Sequence, residues 1–99
     1  MATPLADEAR ILYLEPDDEI PSVVRRLSET DAERVILVAP GRTKITSSAI
    51  GLRLLAREAT AGGRSLRLVA DAASRSLALE AGIEAFASVA EAQAGEGRP

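Results

Sequence analysis

Short apolar runs recur along this chain, and each is followed by a polar turn and then by a stretch with helical spacing. Ile11-Leu12-Tyr13-Leu14, Val35-Ile36-Leu37-Val38 and Leu66-Arg67-Leu68-Val69-Ala70 are unbroken or nearly so. Runs of this length fit strands covered on both faces, as in a parallel sheet. Between the first two, Ile20, Val23, Val24 and Leu27 fall at i, i+3, i+4 and i+7, which predicts a helix that closes near Glu29. Arg25 and Arg26 lie on its opposite face, and Pro21 is tolerated in its first turn.

The stretch from Arg34 to Ala59 organises the rest. Its strand ends at Pro40-Gly41, and Thr46, Ser47 and Ser48 offer hydroxyls to the N-terminus of a second helix. There Ile50, Leu54 and Leu55 form a stripe that Leu52, Ala56 and Ala59 widen, and Ala61-Gly62-Gly63 stops it. A third helix runs from about Ala72 to Ala81, anchored by Leu77 and closed by Gly82. Ile83 to Ala87 reads as a weak fourth strand, and Ser88-Val89-Ala90-Glu91 as the capping box of a short last helix.

Strands alternating with helices predict parallel pairing and right-handed crossovers. The expected fold is a small three-layer, doubly wound α/β domain of flavodoxin/Rossmann-like type, with about four parallel strands in the order 2-1-3-4. Its open edges would be strands two and four. At 99 residues it is one domain, with an ordered core over about 10–94 and flexible ends at 1–9 and 95–99.

Composition narrows the chemistry. The chain has no Cys and no His, which removes disulfides, Cys/His zinc sites, thiol nucleophiles and His-based triads. Aromatics are confined to Tyr13 and Phe86, so the core is aliphatic, and Tyr13 is expected within it. A net charge of −3 gives no nucleic-acid or membrane footprint. Residues 1–9 lack an apolar stretch, and no run approaches membrane-spanning length, so a cytoplasmic protein is expected. All but one of the 12 basic residues are Arg, Lys44 being the exception.

In an open α/β sheet, ligands bind beyond the carboxyl ends of the strands, where the order reverses. That rule gathers Glu15 to Asp18, Pro40 to Lys44, Asp71 and Ser88 on one rim. In the order 2-1-3-4, Asp17, Asp18 and Asp71 come within reach of one another and could hold a hard cation. The placement is similar to that of receiver domains by position only, since no fifth strand supplies their Lys. The same residues have a plainer use: Asp17 or Asp18, Asp71 and Ser88 are all placed as N-caps. Gly41-Arg42-Thr43-Lys44 before a helix could hold a phosphate, but it matches neither G-x-x-x-x-G-K-[ST] nor G-x-G-x-x-G. As ordinary loop charges these side chains would simply be solvated.

Three sets of residues, Glu15 to Val23, Leu37 to Gly41 with Arg53 to Ala59, and Arg75 to Val89, together resemble a small bacterial α/β domain from the N-terminal region of large proteins labelled baseplate-J-like. Pro40 directly before Gly41, and Gly51 before Arg53-Leu54-Leu55, depart from that pattern. The chain would be a stand-alone version or an excised piece of such a protein. The resemblance implies no catalytic residue and no cofactor, and suggests a non-enzymatic module that binds or positions something. The expected function is therefore an interaction or regulatory module working through the carboxyl rim, with a protein partner or a second copy and with neither nucleic acid nor membrane. Its rivals are a small-ligand site for a nucleotide, phosphate or Mg²⁺, and self-assembly through an open strand edge.

Overall fold

The computed structural model describes residues 9–94; of the expected flexible ends at 1–9 and 95–99, all but Ala9 lie outside the described residues. Among these residues four strands and four helices alternate. They are β1 (Arg10–Tyr13), α1 (Ile20–Glu29), β2 (Arg34–Val38), α2 (Ala49–Ala61), β3 (Ser65–Val69), α3 (Ala72–Glu80), β4 (Glu84–Phe86) and α4 (Val89–Ala94). All strand pairs are parallel. The result is the expected three-layer α/β domain, Rossmann/flavodoxin-like in its parallel sheet and crossover helices.

The strand order differs from the expectation. It is β1-β2-β3-β4, not 2-1-3-4, so β2 is interior and the edges are β1 and β4. Burial supplies the reason. Val35, Ile36, Leu37 and Val38 are all buried, whereas β1 begins with exposed Arg10 and ends on exposed Tyr13. The most completely apolar strand takes the position with neighbours on both sides. Tyr13 register-pairs with Val38 yet is 57% exposed, and the expectation of a core tyrosine is overturned.

A monotonic order with crossovers of one hand places the three connecting helices on one face. Leu14, Val23, Leu27, Val35, Leu37, Leu52, Leu55, Leu68, Ala78 and Ile83 form the core there. Leu52 and Leu55 are wholly buried, each contributing about 1.5–3 kcal/mol of transfer free energy. Ile50 and Leu54, expected in that stripe, instead point outward, Ile50 being 69% exposed. The buried stripe is rotated to Gly51, Leu52, Leu55 and Ala59. Gly51 faces α1: a Cβ there would lie 3.4 Å from Ile20 Cδ1, so the departure at this position allows two helices to approach closely.

Among the described residues the second face is covered by α4 alone, packed mainly on β2, β3 and β4. Ile36, Val38, Val69 and Ala92 form its smaller core, with Ile11, Phe86 and Val89 around them. Arg67 is buried within this face at 9% exposure. Its Nη1 donates to the Ala92 carbonyl at 2.7 Å and its Nε to Glu84 Oε1 at 3.0 Å, while its guanidinium stands 5.9 Å from the Phe86 ring centre. One side chain thus ties α4 to β3 and β4.

Arg67→Met keeps the apolar stem but leaves the buried Ala92 carbonyl without its charged donor. It should cost about 1–3 kcal/mol in urea unfolding and speed amide exchange in α4. Glu84→Gln, at an exposed partner, should stay within about 1 kcal/mol of wild type. An Arg67→Met variant as stable as wild type would show that α4 does not depend on this contact.

Candidate functional site

The order of the strands decides what the carboxyl rim can gather. With β2 between them, β1 and β3 are two strand spacings apart, about 9–10 Å. Asp17 and Asp18 are therefore not brought against Asp71, contrary to the expectation drawn from the order 2-1-3-4. Among the described residues there is no group of three or more His, Cys, Asp or Glu placed to hold a metal ion.

Each rim residue has a local role that the backbone imposes. Asp71 is the N-cap of α3: its Oδ1 accepts the Ser74 N–H at 2.8 Å. That backbone bond, with a contribution from the Ser74 hydroxyl and the nearby charges of Arg42 and Arg75, holds its carboxyl below the ordinary value of 3.8. Ser88 Oγ accepts the Glu91 N–H at 3.2 Å, and Glu91 Oε1 accepts the N–H of Ala87, a capping box reaching one residue further back than usual. Helix α2 is capped by Ser48, whose hydroxyl accepts from the Gly51 N–H at 3.0 Å.

The first helix departs from the expectation. Its N-cap is Glu19, which makes no side-chain capping bond, so neither Asp17 nor Asp18 caps it. Asp17 is exposed. Asp18 closes the preceding turn by accepting the Glu15 N–H at 2.8 Å, and it also accepts from Arg26 Nη1 at 3.3 Å. Arg26 in turn donates through Nη2 to the Tyr13 carbonyl at 2.7 Å. It is half-buried and bound, although its position in the helical pattern suggested a solvent face.

The loop from β2 to α2 is built around two buried hydroxyls. Thr46 donates its N–H to Thr43 Oγ1 at 3.0 Å, Thr43 donates its N–H to Thr46 Oγ1 at 3.3 Å, and the two hydroxyls lie 2.9 Å apart. Thr43 is thus consumed inside the loop and does not face a ligand. Ile45 is buried beside it, which holds the loop down on the core. Lys44 points away, its N–H donating to the Pro16 carbonyl and its Nζ 3.4 Å from Glu19 Oε2. Arg42 is exposed on the same loop.

A shallow cleft of about 320 Å³ opens between the N-termini of α1 and α2, lined by Ile20, Pro21, Lys44, Ile45 and Ser48. Its walls are chiefly apolar, and its charged rim is already a Lys44–Glu19 pair. The charged and aromatic groups that remain available on the rim are Glu15, Asp17, Arg42 and Tyr13. Sequence reading placed the first three and missed the fourth. The signal for Tyr13 was its position at the end of a strand that starts with Arg10, a pattern suited to an edge.

The depressed Asp71 titration has a sign that can be tested. Because the folded carboxyl loses its proton more readily than the unfolded one, its contribution is complete above 3.8 and is lost as pH falls through the folded value. Wild type should melt above Asp71→Asn at neutral pH, and the gap should close on acidification below pH 3.8. A gap that does not change with pH would mean that the charge at the cap contributes nothing. No family model matches this chain, and neither a curated protein nor a solved structure matches it.

Proposed function

We propose that this domain is a non-enzymatic protein-interaction module whose working surface is the carboxyl end of β1 and β2. The observation that carries the reading is Tyr13, the only tyrosine, which stands 57% exposed at the last position of an edge strand. Large amphipathic side chains of this kind, and arginines, are the residues that anchor protein interfaces. Arg42 and Asp17 on the adjoining loops give the surface a polar rim of both signs. Pro40 and Gly41 beside them are exposed too.

Catalysis and small-ligand binding are disfavoured by the same geometry. Asp71 and Ser88 are engaged as caps, Thr43 by Thr46, and Asp18 by a turn and Arg26. The chain offers no His or Cys as a substitute base or nucleophile. The family resemblance, which implies no catalytic residue, supports the same class.

Affinity capture with wild type, Tyr13→Ala, Arg42→Ala and Leu79→Ala as baits tests this reading. Leu79 is an equally exposed apolar residue on α3, on the other face of the sheet. A partner should be retained by wild type and Leu79→Ala and reduced about tenfold or more by Tyr13→Ala. All three variants should unfold within about 0.5 kcal/mol of wild type. Capture indifferent to Tyr13, or a thermal shift from a nucleotide, phosphate or Mg²⁺ that Arg42→Ala abolishes, would overturn it.

A further inference from the structure

The outer edge of β1 carries a contact that lies outside the hydrogen-bond ladder of the sheet. Leu14 donates its N–H to the Val38 carbonyl, so Leu12 and Leu14 turn their backbone groups toward β2. By alternation, Ile11 and Tyr13 turn theirs outward, away from the sheet. Among the described residues no strand pairs with β1 on that side. The side chains of Ile11 and Tyr13 share the face that carries α4, but α4 packs mainly on the other three strands. Ile11 is half-buried there and Tyr13 exposed.

This edge is self-complementary. Antiparallel pairing of two β1 strands about Leu12 sets Ile11 of one copy opposite Tyr13 of the other, twice. Both are residues whose outward N–H and C=O groups can complete the ladder. Aromatic and β-branched side chains directly opposite one another stabilise such pairs. The other edge, β4, has only three residues and ends at Phe86.

One of the outward acceptors is already occupied. Arg26 reaches from α1 to the Tyr13 carbonyl, and Asp18 steadies its guanidinium while closing the turn after β1. We propose that Arg26, steadied by Asp18, is a guard that keeps the β1 edge closed to strand addition by a second copy of this chain. An incoming strand must displace Arg26 to reach the Tyr13 carbonyl, and in a symmetric pair two guards must leave. The arrangement is a charged cover over an otherwise pairable edge. It leaves the Tyr13 side chain free, whatever that side chain meets.

Sedimentation velocity over a concentration series from micromolar to millimolar tests the guard, with folding of each variant checked by circular dichroism. Wild type should stay monomeric. Arg26→Ala should form dimers with a dissociation constant at least about tenfold lower than wild type. Adding Ile11→Pro, which removes an outward N–H and no bond to β2, should restore the monomer. Should that proline variant melt early, Tyr13→Lys serves the same purpose. Should Arg26→Ala fail to fold, Asp18→Asn, which loosens Arg26 without removing it, should raise association in the same direction. A folded Arg26→Ala or Asp18→Asn variant that stays monomeric throughout would overturn the proposal. So would association that neither Ile11→Pro nor Tyr13→Lys suppresses, or a wild type that pairs through β1 as readily as the variant.

Discussion

The handedness of parallel crossovers is the constraint that shapes this structure. Strands laid down in the order β1-β2-β3-β4 with connections of one hand put α1, α2 and α3 on the same side of the sheet. That side gets a full aliphatic core. Among the described residues the other side gets only α4, a helix described over six residues. The two faces of the sheet are therefore unequal by topology. The second face is held by a different kind of contact: the buried Arg67 fixes the Ala92 carbonyl, where a longer helix would rely on apolar area.

The same constraint removes the usual ligand crevice. A binding site in an open α/β sheet arises where the chain reverses direction across the sheet, because the loops there splay apart. A monotonic order has no reversal. The loops at the carboxyl end succeed one another side by side, and their polar groups turn inward to finish the local structure. Asp71, Ser88 and Ser48 complete helix N-termini, and Thr43 and Thr46 complete each other. Among the described residues the charged and aromatic groups left outward are few: an aromatic ring, an arginine and two acids. Under the proposed function this rim meets another protein and does not enclose a small molecule.

Much of this was legible in the sequence, for reasons of local physics. Unbroken runs such as Val35 to Val38 marked the strands, and the S-x-x-E spacing at Ser88 and Glu91 marked a helix start. Gly82 closed α3 as expected, with the positive φ of 87° that glycine adopts at least cost. Strand order was not legible, because periodicity describes which face of a strand is buried and not which strand is its neighbour. The comparative polarity of β1 carried a weak trace of it, in Arg10 and Tyr13 at its two ends. The misplacement of Ile50 and Leu54 has a similar origin. An alanine- and leucine-rich helix presents two plausible stripes, and only packing against Ile20 at Gly51 selects between them. Arg26 and Arg67 were hidden for another reason: both act through long side chains that reach backbone carbonyls far away in sequence, at Tyr13 and Ala92.

Everything at the carboxyl rim depends on the order of the strands, and amide-to-amide and amide-to-alpha proton contacts in a nuclear Overhauser spectrum of the full chain measure it directly. Interstrand contacts from β2 to both neighbours are the predicted result, linking Leu12 to Leu37 and Leu37 to Leu68. Contacts between β1 and β3, with β2 left at an edge, would contradict it and would bring Asp17, Asp18 and Asp71 back together as a site.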